Sequence, residues 1–83
     1  MDTHLPKLDL HGMEKLDVTR EIDLFLLGQQ NSYSIRIVFG LGRGILERAV
    51  TQYLKQLKEK KDGPVLAWKK ENSGISCVVL LKK

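Results

Sequence analysis

The chain has 83 residues, 42% of them apolar and 29% charged, with a formal net charge of +4. That length allows one small domain burying roughly 60–65% of the surface its unfolded form exposes, and the composition is that of a soluble globular protein. No apolar run approaches the ~18 residues of a membrane span, and the single cysteine, Cys77, excludes an internal disulfide and fits a reducing cytosol, so a cytoplasmic location is expected.

Residues 1–6 read as a flexible polar tail ended by Pro6, and residues 7–83 as a single domain. The stretch from Met1 to Lys7 has neither a basic n-region nor an apolar h-region, so no secretory signal is expected. Charge is divided unevenly. Three Lys or Arg stand against six Asp or Glu from Met1 to Asn31, and eleven against four from Ser32 onward. The basic second part suits a polyanionic partner, although lysine-rich helices and tails also serve as plain solvated faces.

Lys7-Leu8-Asp9-Leu10-His11 alternates polar and apolar residues and predicts a half-buried strand closed by Gly12. Its period of two puts Leu8 and Leu10 on one side and Asp9 and His11 together on the other. From Leu16 to Leu27, Val18, Ile22, Phe25 and Leu26 form a core-facing helical stripe, and Gly28 follows as a natural C′ residue. Ser34 to Phe39 predicts a second strand. Phe39-Gly40-Leu41-Gly42-Arg43-Gly44 then joins it to a helix from Ile45 to Lys60, with Leu46, Ala49, Val50, Tyr53, Leu54 and Leu57 on its apolar face. Lysines suit the last turn of that helix, and Asp62-Gly63-Pro64 stops it. Val65 to Lys69 predicts a third strand, Glu71-Asn72-Ser73-Gly74 a hairpin turn, and Ile75 to Leu81 a fourth strand.

The order β-α-β-α-β-β is that of an α/β two-layer sandwich. It predicts a four-stranded mixed sheet with both helices on one face, strands one to three parallel and the last antiparallel. The carboxyl ends of the first three strands then share one edge, where open α/β sheets bind ligands. Asp9 and His11, the glycine loop, and Lys69 and Lys70 beside Asn72 and Ser73 all gather there. In the loop, Gly40, Gly42 and Gly44 leave the backbone bare, so successive N–H groups and the following helix N-terminus can seat a phosphate, with Arg43 and Arg48 adding positive charge. The competing reading is a tight strand-to-helix turn whose glycines solve only a steric problem. Lys69 and Lys70 form either a phosphate-tracking edge or a solvated hairpin tip. Trp68, Tyr33 and Tyr53 default to packing, and His4 has no evident role.

Leu8-Asp9-Leu10-His11-Gly12, the helix with Ile22 and Phe25-Leu26, Gly40-x-Gly42-x-Gly44 opening a helix, and Gly74-Ile75-Ser76-Cys77-Val78-Val79-Leu80 together resemble the Smr (small MutS-related) domain from Leu8 to Leu81. The resemblance implies a fold similar to the C-terminal domain of translation initiation factor three. It also implies a nucleic-acid-binding domain with endonuclease activity, nicking DNA in some members and cleaving RNA, including mRNA on stalled ribosomes, in others. Its D-x-H motif falls on Asp9 and His11, and its glycine motif on Gly40, Gly42 and Gly44. Two departures stand out. Phe39 occupies the place where the family usually has a histidine, removing a second imidazole, and Ser76 and Cys77 replace Thr and Val, which reads as conservative packing.

Phosphodiester cleavage needs a proton acceptor for the nucleophile, a proton donor for the leaving oxygen and positive charge for the phosphoryl oxygens. His11 suits proton transfer near neutral pH, with Asp9 orienting it or binding a divalent metal. RNA carries its own nucleophile in the 2′-OH, whereas DNA hydrolysis more often calls for metal-activated water, with Mg²⁺ or Mn²⁺ as the candidate ions. Only Glu14 and Glu71 are added carboxylates here, so RNA is the favoured substrate. The competing readings are a structural Asp9–His11 pair, or a non-catalytic module, silenced by Phe39, that grips DNA or RNA or docks on the ribosome or a larger repair protein. The domain is taken as a monomer with no membrane partner.

Overall fold

A computed structural model describes residues 5–42 and 44–82. His4 of the tail and Arg43 of the glycine loop therefore lie outside the described residues. Strand β1, Lys7–Asp9, pairs in parallel with β2, Ser34–Val38, with Leu8 opposite Ile37 and Asp9 opposite Val38. Pairing continues one residue further, because Leu10 N–H donates to the Val38 carbonyl at 2.7 Å. The strand stops short of the expected His11, because the His11 N–H turns back to the Asp9 carboxylate instead of joining the ladder.

A 3₁₀ turn at Lys15–Asp17 leads into helix α1, Val18–Leu27. Leu16, expected to open the helix, lies in that turn and is 91% exposed, so it adds nothing to the core. Gly28 caps α1 with φ −80°, a right-handed conformation, not the left-handed reversal usual at C′. Its N–H and that of Gln29 reach back to carbonyls of the last turn, so the helix winds down through a further turn. Helix α2, Ile45–Glu59, starts at Gly44, whose φ of +80° makes glycine the natural residue there. It ends at Lys60. Asp62 then takes a positive φ and Gly63 donates to the Lys60 carbonyl, reversing the chain before Pro64.

Strand β3, Val65–Lys70, and strand β4, Ser76–Leu81, form an antiparallel hairpin with an irregularity between Val65 and Ala67. β4 also pairs antiparallel with β2, giving the sheet order β1-β2-β4-β3. The first three strands thus run in one sense, with the last inserted between β2 and β3. One face of the sheet contributes Leu10, Ile35, Ile37, Val65, Cys77 and Val79 to the core, against Val18, Ile22, Val50 and Leu54 of the helices. Fully burying a side chain of this kind stabilises the fold by about 1.5–3 kcal/mol. Such burial, more than local helix propensity, holds α1 and α2 on the sheet. No helix among the described residues is long and apolar enough to cross a membrane.

Candidate nucleic-acid site

Among the described residues no helix covers the opposite sheet face. Strand alternation and the pairing register place Asp9, Arg36, Val38, Lys69, Ser76 and Val78 on that face. At its carboxyl edge, Asp9 Oδ1 accepts the His11 backbone N–H at 3.0 Å and lies 2.7 Å from His11 Nδ1. With Asp9 ionised, Nδ1 is the donor, which leaves the lone pair of a neutral imidazole on Nε2. The ring hydrogen bond first, and the backbone N–H second, hold the Asp9 carboxyl below its ordinary range. Both groups reach solvent, the imidazole side chain being 71% and the carboxylate 43% exposed.

Gly40 brings the loop against this pair. Its φ is +79°, and a Cβ built there would lie 2.9 Å from His11 Cβ, so the close approach leaves room for glycine alone. The loop is anchored from its other side, where the Ile75 carbonyl accepts N–H groups from both Phe39 and Gly40, at 2.8 and 3.0 Å. The end of β1, the glycine loop and the β3–β4 turn therefore meet at one edge, as the chain order predicts. Beside them, a cleft of about 110 Å³ opens between Gly12, the glycine loop and the first turn of α2.

Phe39 is 2% exposed and packs into the core, so its side chain supplies no acid or base. Arg48 is exposed on α2 beside Gly44 and Thr51, while Arg43 is not described. Lys69 and Lys70 do not form one basic edge. Lys69 lies opposite Val78 on the uncovered face, whereas Lys70 lies opposite Cys77 and pairs with Glu47 of α2 at 2.7 Å.

Two ion pairs escape a reading of the sequence. Besides Glu47–Lys70, Arg36 grips Glu71 with Nε and Nη2 at 2.7 and 3.0 Å, and the buried Ser76 hydroxyl donates to the same carboxylate at 2.6 Å. Arg36 first and Ser76 second hold the Glu71 carboxyl below its ordinary range. Ser76 is therefore a hydrogen-bond donor, not only a packing substitute. Polar residues at 36, 71 and 76 were visible in the sequence, but their meeting depends on strand neighbours that the sequence does not reveal. Among the described residues no three His, Cys, Asp or Glu side chains converge as a metal site, and Asp9 Oδ1 is already engaged by His11. This donor set does not make a resident Mg²⁺ or Mn²⁺ centre.

The family model described as the Smr domain matches residues 8–82. The fold is also similar to the crystal structure of the Smr domain of Thermus thermophilus MutS2, with a TM-score of 0.82 and 22% identity over 95% of this chain and 100% of that one. No curated protein matches the sequence significantly.

Proposed function

This chain belongs to the Smr domain family, and from that premise we propose that it is a cytoplasmic nucleic-acid-binding domain that cleaves RNA at the Asp9–His11 edge. The observation that carries the reading is the exposed imidazole, held by Asp9 through Nδ1 and abutting Gly40 of the glycine loop. In this reading His11 Nε2 takes the proton of a 2′-OH as that oxygen attacks the adjacent phosphorus. The bond to the 5′-oxygen breaks, and water protonates the leaving oxygen, since Phe39 offers no second imidazole. The products are a 2′,3′-cyclic phosphate and a 5′-hydroxyl. Asp9 is a positioning residue that fixes the tautomer and balances the charge of the imidazolium. Loop amides and Arg48 supply attraction for the phosphates.

The burial of Phe39 favours a second reading, a binding module without turnover, because one imidazole must serve where two proton transfers are needed. End-labelled RNA and supercoiled plasmid, incubated with the pure domain with and without Mg²⁺ or Mn²⁺, separate the two. The catalytic reading expects metal-independent RNA cleavage leaving cyclic phosphate ends, lowered about 10²- to 10⁴-fold by His11→Ala. Asp9→Asn should slow cleavage while retaining RNA affinity. Retained binding with no cleavage by the wild type, or equal cleavage by wild type and His11→Ala, refutes it.

A further inference from the structure

The cleft beside the glycine loop has a chemistry unlike that of a simple phosphate seat. Phe39 and Leu46 line it from the core side, and Leu41 and Ile45 also line it, 86% and 50% exposed. Among the described residues lining it, Glu47 carries the one ionised side chain. These apolar side chains give a phosphate no partner and the Glu47 carboxylate is already paired with Lys70, so what holds a phosphate at this edge is the loop backbone and not these side chains. A nucleobase suits the apolar groups and the carboxylate alike, having an apolar face and hydrogen-bonding edges. Lys70 fixes the Glu47 carboxylate through Oε2 at 2.7 Å and leaves acceptor positions on both oxygens.

We propose that this cleft takes an unstacked guanine base of single-stranded RNA, with Glu47 accepting from its Watson–Crick edge and Leu41 covering its face. The inference rests on the RNA-binding reading above and adds a base preference to it. Guanine follows from donor geometry. It alone presents two adjacent donors, N1–H and the N2 amino group, to the two oxygens of one carboxylate. Adenine and cytosine set an acceptor nitrogen beside their amino group, and uracil flanks its one N–H with carbonyls. Gly40 borders both the cleft and His11, so a base held here leaves its own phosphodiester close to the imidazole.

The test is fluorescence anisotropy with labelled single-stranded oligouridylates carrying one central guanosine, adenosine, cytidine or abasic site. The wild type should bind the guanosine oligomer about tenfold more tightly than the others, the discrimination expected of one bidentate contact. Glu47→Gln should abolish that preference without weakening the abasic oligomer. Leu41→Ser should weaken the guanosine oligomer and leave the abasic one unchanged, and because Leu41 is exposed it remains informative if Glu47→Gln does not fold. Equal wild-type affinity for all four oligomers overturns the inference alone. So does a uniform gain for every oligomer in Glu47→Gln, which marks a phosphate seat. Failure to bind any RNA overturns the RNA-binding reading as well.

Discussion

Replacing Gly40 by alanine measures how far the loop supports the imidazole, and Gly74→Ala is its internal control. Both glycines have a φ of +79°. A Cβ in the left-handed region costs about 1–2 kcal/mol at either position, offset by about 0.4–1 kcal/mol from the stiffer unfolded chain. The surroundings differ. A Cβ at Gly74 meets nothing within 4 Å, whereas at Gly40 it falls 2.9 Å from His11 Cβ, about 0.5 Å inside the 3.4 Å of an ordinary contact. Overpacking of that kind adds about 1–3 kcal/mol. For a domain of this size each kcal/mol moves Tm by about 4–8 °C. Gly74→Ala should therefore lower Tm by a few degrees, and Gly40→Ala by an additional ~4–24 °C. Circular dichroism melts of the two variants read the difference, and RNA cleavage by each at a temperature where both are folded reads the displacement of His11. Equal melting and equal cleavage refute the claim that Gly40 supports the site.

Acid should destabilise the domain through Asp9 and Glu71, whose carboxyls titrate lower in the folded state than in the unfolded one. Their contribution is present in full above the unfolded values of about 3.9 and 4.3 and is lost as pH falls through the folded ones. Urea midpoints measured down the acid range should fall less steeply in Glu71→Gln than in the wild type, and parallel curves refute this. The buried Cys77 thiol is pushed up to about 12 by burial and by the charges of Glu71 and Glu47. A disulfide reagent at about pH 8 should thus label it only as fast as the protein unfolds, and rapid labelling of the native state refutes that. Arg48→Ala should reduce the slope of log affinity against log salt for single-stranded RNA by about 0.7, one phosphate contact. An unchanged slope removes Arg48 from the interface.

Features governed by short-range periodicity were legible in the sequence. Alternation at Lys7 to His11 placed Asp9 beside His11, the stripe of α2 identified Val50, Leu54 and Leu57 as core, and the glycine spacing marked the loop. The edge shared by three strands follows from β-α-β connectivity, which constrains direction. Direction alone does not say which strands are neighbours. The insertion of β4 between β2 and β3 brings Ser76 opposite Val38 and Val78 opposite Arg36, and the grip of Arg36 on Glu71 needs that register. Lys69 and Lys70 show the same limit. Adjacent in sequence, they read as one basic patch until the strand they occupy sends them to opposite faces, where Glu47 claims the second. Gly28 illustrates a different gap, because its identity permits a left-handed cap without requiring one.

The double acceptor at the Ile75 carbonyl makes the C-terminal hairpin a buttress for the glycine loop beside Asp9 and His11. One oxygen ties down the amides of Phe39 and Gly40, and Gly40 in turn abuts His11. Inserting or deleting a residue in the turn from Glu71 to Gly74 would move that oxygen, slacken the glycine segment and tilt an imidazole encoded near the opposite terminus. The Asp9–His11 edge thus draws on residues from both ends of the chain, and a fragment lacking the hairpin should lose the support that Ile75 gives Gly40.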